Sequence, residues 1–392
     1  MKILFLSYYF EPDLSAGSFR NSSLLKTLSQ SIPNECSIDV ITTQPNRYDS
    51  FKIKAQSKEK LTNNITIHRI DMPSYDNGML SQVKLFTRFY FQTLIISKKE
   101  KYDLVYASSS KLFTALLGSR IARRQKAKLY LDIRDLFKET IIDVFDNKVL
   151  KLGFKVFLGS IEKYTFKRAD HINLVSEGFR SYFNKYSHCT YTYFTNGIDR
   201  IFINKNEVKE ENKSQHKTIV YGGNIGEGQG LEIIIPQLAY SFPEYKFVII
   251  GDGGAKEKLV TKVKEHDLDN VVLLNPMNRL DLISHYNKAD YLFMHLNNFK
   301  AFERVLPSKL FEYGSFDKPI IAGVSGYATH FLSEEMSNVI LFKPGDYKDL
   351  IQKLNKYKYK TTERKEFIKK YSRDNINKKM TQSILLLLSE NK

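Results

Sequence analysis

The sequence predicts an α/β protein built from two doubly wound parallel-sheet domains in tandem. Short β-branched or aromatic runs alternate with longer helical stretches, the alternation stops at one polar stretch and restarts after it, and glycine-rich turns follow two predicted strands. Such alternation is typical of a parallel sheet with crossover helices. At 392 residues, 42% of them hydrophobic, the chain is long enough for two domains with separate cores.

The first domain is predicted over residues 1–203. A polar stretch rich in Lys, Glu and Asn and without apolar periodicity follows at 204–217, and we interpret it as a linker that could serve as a hinge. The predicted strands of this domain are Ile3–Leu6, Ile38–Ile41, Ile65–Ile70, Leu104–Ala107, Leu129–Ile133 and Ile172–Val175.

The second domain is predicted over residues 218–372. A final helix is predicted over 373–392, because Ile376, Met380 and Ile384 share one helical face. It could pack on either domain, including back on the N-terminal one. The strands of the second domain are Ile219–Tyr221, Phe247–Ile250, Val271–Leu274, Tyr291–His295, Pro319–Ala322 and Val339–Phe342.

The cysteines, the acidic motifs and the apolar segments of the sequence indicate the cellular compartment and the expected metal content. Cys36 and Cys189 are far apart and lack CxxC or Cys/His spacing, so neither a disulfide framework nor a zinc site is expected. The string Asp267-Leu268-Asp269 mimics a metal-binding DxD motif, but it precedes a strand instead of ending one, and we interpret it as surface. We expect a cytoplasmic protein with no metal site, no cofactor and no membrane-spanning segment.

The charge distribution points to anionic partners. The formal net charge is +17, and residues 1–200 contain 31 Lys and Arg against 19 Asp and Glu, whereas residues 201–392 contain 29 against 24. Nucleic acid, an anionic membrane surface and a pyrophosphate-bearing substrate all satisfy such a charge. The chain lacks a helix-turn-helix, RRM or zinc pattern, so only its charge supports the hypothesis of a nucleic-acid-binding module. We therefore expect no nucleic acid partner.

A glycine-rich turn, Gly222–Gly230, separates the first strand of the second domain from a helix. Glycines let a backbone approach an anion closely, and the free N–H groups at a helix start favour negative charge. The turn is therefore a candidate phosphate cradle, although a flexible βα turn explains the same pattern. A second cluster, Gly251–Gly254, follows the next strand, where a turn without ligand contact is an equal alternative.

The segment Ala301–Gly314 is the most informative. Pro307 is well placed as the first residue of a helix, which puts Lys309 in the first turn and Glu312 one turn later on the same face. A lysine at a helix start opposes the helix dipole, and a bound diphosphate would remove that conflict. A local ion pair on a solvated face is the alternative.

These segments resemble glycosyltransferase family 4, the retaining sugar-nucleotide transferases with the GT-B fold. The similarity spans nearly the whole chain and is greatest to the bacterial branch that contains N-acetyl-fucosamine transferases of surface-polysaccharide assembly. The matching segments are Tyr221–Gly226 with Gln229–Leu231, Leu306–Tyr313, Asn196–Asp199 and Phe247–Gly253.

The resemblance implies roles for particular residues in the second domain. Where many family members carry an arginine and a lysine that grip the diphosphate, this chain has Asn224 and Gln229, so Lys309 becomes the leading diphosphate ligand. The first of the family's paired glutamates falls at Arg304, with Glu303 one residue displaced, and Glu312 carries over as the second. The substrate-binding residues implied here are Gly223, Asn224, Gly226, Gly251, Pro307, Ser308 and Glu312, and the catalytic ones are Lys309 and Glu303.

In the first domain the resemblance implies that Gly17 borders the donor phosphates and that Arg134 and Asp135 take part in catalysis. Many relatives carry a histidine near Arg134, so the identity of an acceptor base stays open. The alternatives are a glycine that relieves backbone strain and an Arg–Asp pair that holds its loop.

Two basic clusters are candidates for contact with anionic headgroups. Lys148, Lys151 and Lys155 share a helical face near Phe154 and Phe157. Arg120, Arg123 and Arg124 form the other cluster. Solvated faces over a core explain both clusters equally well.

The resemblance implies transfer of a sugar from a nucleotide-diphosphate donor, expected to be a UDP-linked acetamido sugar, to a lipid-linked or growing glycan acceptor in capsule or O-antigen synthesis. Such an enzyme would work without a metal in a cleft between the two domains, in the cytoplasm or peripherally on the inner face of the cell membrane. A non-hydrolysing UDP-sugar 2-epimerase shares the architecture and the nucleotide site and is the alternative.

Overall fold

The computed structural model describes residues 1–46, 53–72, 79–109, 112–136, 138, 148–204 and 216–390. The chain divides into two compact units, an N-terminal unit of Met1–Asn196 with Asp374–Lys392 and a C-terminal unit of Gly197–Arg373. Residues 197–203, predicted with the first domain, therefore group with the C-terminal unit. Most of the predicted linker at 204–217 lies outside the described residues.

The N-terminal unit contains a mainly parallel sheet. Its order within the described residues is β3-β4-β2-β1-β5-β6-β7-β8, and only β3 runs antiparallel to its neighbour. The strands are β1 (Lys2–Ser7), β2 (Ser37–Thr43), β3 (Lys58–Thr62), β4 (Ile65–Ile70), β5 (Leu104–Ser109), β6 (Lys128–Ile133), β7 (His171–Leu174) and β8 (Thr190–Thr192).

The sequence pattern did not predict β3 and β8, the two edge strands. The β3 segment Lys-Glu-Lys-Leu-Thr is mostly charged and exposed, which is how natural sheets discourage pairing with another chain at an open edge. The β8 segment is only three residues long and partly exposed. Neither has the apolar pattern from which strands are predicted.

Helices cover both faces of this sheet. They are α1 (Ala16–Ser29), α2 (Met79–Ser97), α3 (Leu112–Gln125) and α4 (Lys148–Phe166), followed by a 3₁₀ helix at Glu177–Phe183. The crossovers through α2, α3 and α4 all step in one direction across the sheet, whereas the crossover through α1 steps the other way. Because such crossovers are right-handed, α2, α3 and α4 lie on one face and α1 on the other.

The C-terminal unit contains a second sheet, with the order β11-β10-β9-β12-β13-β14 and every neighbouring pair parallel. Its strands are β9 (Thr218–Asn224), β10 (Lys246–Asp252), β11 (Val271–Leu274), β12 (Tyr291–His295), β13 (Ile320–Gly323) and β14 (Val339–Phe342). The α-helices are α5 (Arg200–Ile203), α6 (Leu231–Ser241), α7 (Lys256–Glu265), α8 (Arg279–Lys288), α9 (Lys309–Gly314), α10 (Tyr327–Glu335), α11 (Tyr347–Lys356) and α12 (Lys365–Lys370).

Alternate residues of these strands enter two separate apolar clusters. In β9, Ile219 and Tyr221 pack with α6 and α7, whereas Val220 packs with α8 and α9. A parallel sheet covered on both faces needs apolar residues on both sides of each strand, which explains the continuous apolar runs in the sequence.

The last helix, α13 (Arg373–Ser389), returns to the N-terminal unit from Asp374 onward. Met380, Ile384 and Leu388 are buried in the same cluster as Leu24 and Leu28 of α1. No helix in the described part of the chain is long and apolar enough to cross a membrane.

Candidate functional site

The glycine-rich turn after β9 is held together by its own polar side chains. Asn224 Nδ2 donates to Gln229 Oε1 at 2.7 Å, and the same oxygen accepts from the Gly226 N–H at 3.2 Å. Gly230 adopts the left-handed conformation, with φ of +55°, just before α6 begins. Asn224 and Gln229, which stand where the resemblance places an arginine and a lysine, thus hydrogen-bond each other. The turn offers backbone N–H groups but no positive charge, since its one ionisable side chain, Glu227, is acidic and pairs with Lys258.

Strands β9 and β10 come unusually close at their carboxyl ends. A Cβ on Gly251, which has φ of +156°, would collide with the carbonyl oxygen of Gly223. A Cβ on Gly253 would lie 2.5 Å from the carbonyl oxygen of Ile225. The sequence therefore needs glycine here for backbone packing, whatever these residues contact in addition.

Lys309 is the first residue of α9, with Ser308 at the N-cap. The helix begins two residues later than Pro307, the predicted first residue, because the opening turn has i→i+3 hydrogen bonds from Leu310 N–H to the Pro307 carbonyl and from Phe311 N–H to the Ser308 carbonyl. The predicted spacing nevertheless puts Lys309 and Glu312 one turn apart on the same short helix.

The Lys309 ammonium lies against the glycine-rich turn. Its Nζ donates to the Gly222 carbonyl and lies 5.0 Å from the centre of the Tyr221 ring. A Cβ on Gly223, which has φ of +150°, would collide with this Nζ. Tyr313, on the same helix as Lys309, accepts the Gly222 N–H at 3.3 Å, so α9 is fixed to the end of β9 at two points.

Burial shifts the pKa of both charged residues of α9. Burial lowers the pKa of Lys309, and Glu312 partly opposes that shift. Burial raises the pKa of Glu312, and Lys309, Arg279 and Arg373 oppose it. Among the described residues no group donates a hydrogen bond to the Glu312 carboxylate. The helix therefore presents one partly buried cation and one partly buried acceptor beside the glycine-rich turn.

Asp199, the last residue of the Asn196–Asp199 motif, joins two arginines near Glu312. It pairs with Arg279 Nη2 on α8, and its Oδ1 lies 2.9 Å from Arg373 Nη1. Arg373 Nη2 also donates to the Gly197 carbonyl at 3.2 Å. These contacts tie the motif to α8 and to the start of α13 within the C-terminal unit.

His295 connects two loops at the carboxyl end of β12. Its Nε2 accepts the Gly345 N–H at 2.9 Å, so its Nδ1 carries the proton and donates to the Gln229 carbonyl at 2.6 Å. The ring is 2% exposed, and burial lowers its pKa to about 4. We did not predict a role for His295, although its position at the end of a buried strand is a usable signal.

Glu303 lies on a 3₁₀ helix, Lys300–Arg304, and its side chain is exposed. Its backbone packs against Gly326, where any Cβ would collide with the Glu303 carbonyl oxygen. Within the described residues, no hydrogen bond or ion pair joins its carboxylate to Lys309. Its predicted catalytic role thus stays a prediction without geometric support.

In the N-terminal unit, Gly17 lies in the first turn of α1, whose N-cap Ser15 accepts the Ser18 N–H at 3.1 Å. A Cβ on Gly17 would collide with Arg134 Nη1, so this glycine makes room for a guanidinium at the start of the helix. Arg134 Nε is buried without a hydrogen-bond partner, and burial lowers the pKa of the residue. Asp135 is exposed. The structure thus brings Gly17 and Arg134 together, a contact that sequence spacing alone did not predict.

A buried polar network lies beneath this contact. Arg20 donates to both oxygens of Asp132, at 2.9 and 3.0 Å, and Asp132 also accepts from Tyr106 at 3.1 Å and from Asn173 at 2.7 Å. Despite its burial, the pKa of Asp132 is lowered, because Arg20 stabilises the carboxylate. The network joins α1 to β5, β6 and β7 directly below the loop that carries Arg134.

Of the two predicted basic clusters, one lies partly outside the described residues. The side chains of Lys148 and Lys151 lie outside the described residues, whereas Lys155 is exposed. Arg120, Arg123 and Arg124 are all exposed on α3. Cys36 is buried, Cys189 is partly buried, and both are free thiols.

Comparison with known proteins gives one family-model match and a set of structures with a similar fold. Residues 202–374 match the family model described as glycosyl transferases group 1. No curated protein sequence matches the chain. The two parallel-sheet units have the GT-B fold, and together with the domain match they support a glycosyltransferase of the GT-B superfamily.

Solved structures similar to the chain span its whole length. Sucrose-phosphate synthase from Thermosynechococcus elongatus is 13% identical, with a TM-score of 0.78 and 100% of each chain covered. Anabaena HepE, solved in complex with UDP-glucose, is 15% identical, with a TM-score of 0.70 and 100% of each chain covered. The lipopolysaccharide outer core galactosyltransferase WaaB is 14% identical, with a TM-score of 0.60 and 98% of this chain and 99% of that one covered.

Proposed function

We propose that this protein is a retaining, metal-independent glycosyltransferase of family 4 that transfers a sugar, expected to be an acetamido sugar, from a UDP-sugar to a glycan or lipid-linked glycan. The observation that carries the proposal is the Lys309 ammonium, partly buried and lying against the glycine-rich turn at the end of β9. In bacteria such a reaction belongs to capsule or O-antigen assembly. The two free thiols suit a reducing cytoplasm.

The donor diphosphate is proposed to bind between Lys309 and the turn. Asn224 and Gln229 hydrogen-bond each other, whereas the Lys309 ammonium contacts the backbone of the turn at Gly222. Two structures of Anabaena HepE were solved with ligands, one with UDP-glucose and one with UDP and glucose. Both share the fold, which supports a UDP-sugar as the donor for this chain.

Glu312 is proposed to accept hydrogen bonds from the ribose hydroxyls. Its carboxylate is partly buried, and no described residue donates a hydrogen bond to it, although Arg279, Arg373 and Lys309 favour its charged form. A partly buried carboxylate without a donor is costly unless a ligand supplies one. Two ribose hydroxyls are donors of the right kind.

Arg134 is proposed as a phosphate-binding residue of the N-terminal unit. Its guanidinium lies at the N-terminal turn of α1, where helix dipole and cation repel each other, and a phosphate group would relieve that repulsion. The exposed Asp135 beside it is the proposed candidate for contact with the acceptor hydroxyl. Glu303 stays a candidate for the sugar hydroxyls.

The proposed chemistry needs no covalent enzyme intermediate. The bond from the anomeric carbon to the β-phosphate oxygen breaks, a bond from that carbon to the acceptor oxygen forms on the same face, and the acceptor proton passes to the departing diphosphate. Negative charge thus grows on the phosphate, and Lys309 and the amides of the turn would stabilise it.

The first test is a thermal-shift screen of UDP-, GDP- and TDP-sugars, because a ligand that binds only the folded state raises apparent stability. We expect UDP-sugars to raise the melting temperature most. Sugar transfer should continue in the presence of EDTA. The anomeric configuration of the product, determined by NMR, should equal that of the donor. Absence of a shift with every nucleotide would contradict the proposal. Epimerisation of UDP-N-acetylglucosamine without any acceptor would identify the alternative enzyme, a non-hydrolysing 2-epimerase.

A further inference from the structure

Helix α2 exposes a row of apolar side chains that a folded monomer ordinarily buries. Val83, Phe91 and Ile95 are 58, 58 and 53% exposed, and with Thr87 they follow one another at intervals of four residues along the helix. The opposite side of α2, with Leu85 and Phe89 among its members, is buried against the domain. The helix therefore has two apolar faces, and only one of them is used by the fold.

Cations without acidic partners surround this row. Lys84 and Arg88 flank it, Lys98 and Lys99 follow its end, and α2 contains no Asp or Glu. None of these four residues makes a salt bridge with any residue that the structure describes. Arg88 Nε donates instead to the backbone carbonyl of Asp71 at 2.7 Å, which leaves its charge unneutralised.

Helix α3 continues the same surface. It packs against α2, and Arg120 Nη1 donates to Tyr90 Oη of α2 at 3.0 Å. Arg123 and Arg124 are exposed in its last turn, and α3 also contains no acidic residue. Helix α4 packs on the other side of α3 and adds exposed Leu152, Val156 and Phe157.

A cavity of about 500 Å³ opens between the ends of α2 and α3. Leu94 and Ile121 contribute apolar lining. Lys98, Lys101 and Arg124 contribute positive charge and outnumber the one acidic lining residue, Glu100, which pairs with Lys2. Such a mixture of aliphatic and cationic lining suits the headgroup and first methylenes of an anionic lipid.

We propose that α2 and α3, extended by α4, form a docking surface for an anionic lipid membrane. Exposed aliphatic and aromatic side chains flanked by Lys and Arg are the composition of helices that lie in the bilayer interface. A second copy of the chain is disfavoured as the occupant, because a symmetric contact would oppose cations to cations with no carboxylate from α2 or α3. This surface does not depend on the proposed transfer reaction, although a lipid-linked acceptor would be found there.

The test is co-sedimentation of the full chain with phosphatidylcholine vesicles, with and without phosphatidylglycerol. We expect binding only to the anionic vesicles, weakened by salt. Phe91→Ser/Ile95→Ser should abolish most of it, and Lys84→Gln/Arg88→Gln should weaken it about fivefold for each charge removed, which corresponds to about 1 kcal/mol per cation. Tyr240→Ser/Leu386→Ser is the matched control and should bind as the wild type does, because it removes two hydrophobic side chains elsewhere that are even more exposed than Phe91 and Ile95.

Three outcomes would overturn the proposal: equal binding to neutral vesicles, unchanged binding by both surface variants, or a lipid-free dimer that Phe91→Ser/Ile95→Ser converts to a monomer. Circular dichroism and UDP binding in solution check that each variant is folded. Vesicle binding without nucleotide binding would support the docking surface and contradict the transferase proposal. Nucleotide binding without vesicle binding would contradict the docking surface alone.

Discussion

The Lys309 ammonium is partly buried and has little contact with solvent. Its ammonium donates to the Gly222 carbonyl and faces the Tyr221 ring, and burial lowers its pKa. A cation held this way costs free energy in the empty site and becomes favourable when an anion arrives. The residue is therefore better suited to binding a diphosphate than to stabilising the fold.

Lys309→Ala should lower kcat by about 10²–10³-fold, because the departing phosphate loses one charged donor in a water-poor site. The melting temperature should change little, and steady-state kinetics with a UDP-sugar measure the effect. Lys264→Ala removes an exposed lysine of the same unit and serves as the control, with wild-type kinetics expected. Wild-type turnover in Lys309→Ala would exclude this residue from the mechanism.

Gly223→Ala should destabilise the protein by about 1–3 kcal/mol, because φ is +150° and the new methyl group collides with Lys309 Nζ. It should also weaken UDP binding, since Lys309 must move. Chemical denaturation and titration calorimetry measure the two effects. Gly254→Ala is the matched control, because a Cβ there meets nothing within 4 Å. Additive effects of Gly223→Ala and Lys309→Ala in the double variant would show that the two positions are not coupled.

At the scale of elements, one buried ion pair organises the N-terminal unit. Arg20 on α1 reaches Asp132 on β6, the carbonyl of Phe194 and Met380 of α13. Four parts of the chain that are distant in sequence thus meet at one guanidinium. Replacing one partner leaves the other charge buried without compensation.

Asp132→Asn should therefore lower the free energy of unfolding by about 3–5 kcal/mol, measured by urea denaturation. The exposed pair Lys262–Glu265 offers the contrast, and Glu265→Gln should cause no resolvable change. If Asp132→Asn lowers the free energy of unfolding no more than Glu265→Gln does, water must solvate the Arg20 guanidinium in the variant.

At the scale of the whole molecule, each unit contains a histidine whose pKa is strongly lowered by burial. Burial lowers the pKa of His171 in the N-terminal unit and of His295 in the C-terminal unit to about 4, against 6.5 in the unfolded chain. Between these values the unfolded state binds the proton and the folded state does not. Stability therefore rises with pH across this interval and is lost as pH falls from 6.5 toward 4.

We expect the free energy of unfolding to fall by up to about 3 kcal/mol per histidine between pH 6.5 and 4, since one pKa unit corresponds to about 1.4 kcal/mol. Denaturation at several pH values measures the slope. His295→Gln should flatten the slope of the C-terminal unit even where it lowers stability at neutral pH, and the exposed His266→Gln should not. An unchanged slope in His295→Gln would contradict a neutral buried ring.

Periodicity and turn chemistry were sufficient to predict both sheets, most strands and the position of Lys309 one turn before Glu312. These features depend on local alternation and on spacing along one helix, which the sequence states directly. The edge strands β3 and β8 were not predicted, because polar or very short segments lack that alternation.

What the tertiary structure alone decided is how distant side chains meet. Lys309 lies against Gly223, and Arg134 lies over Gly17. His295 joins loops around Gln229 and Gly345, and the row from Val83 to Ile95 stays exposed on a helix whose sequence is apolar on both faces. Each depends on which chain segments the fold brings together, because contacts between residues far apart in the sequence leave no period in it, and an apolar residue does not reveal whether the fold covers it.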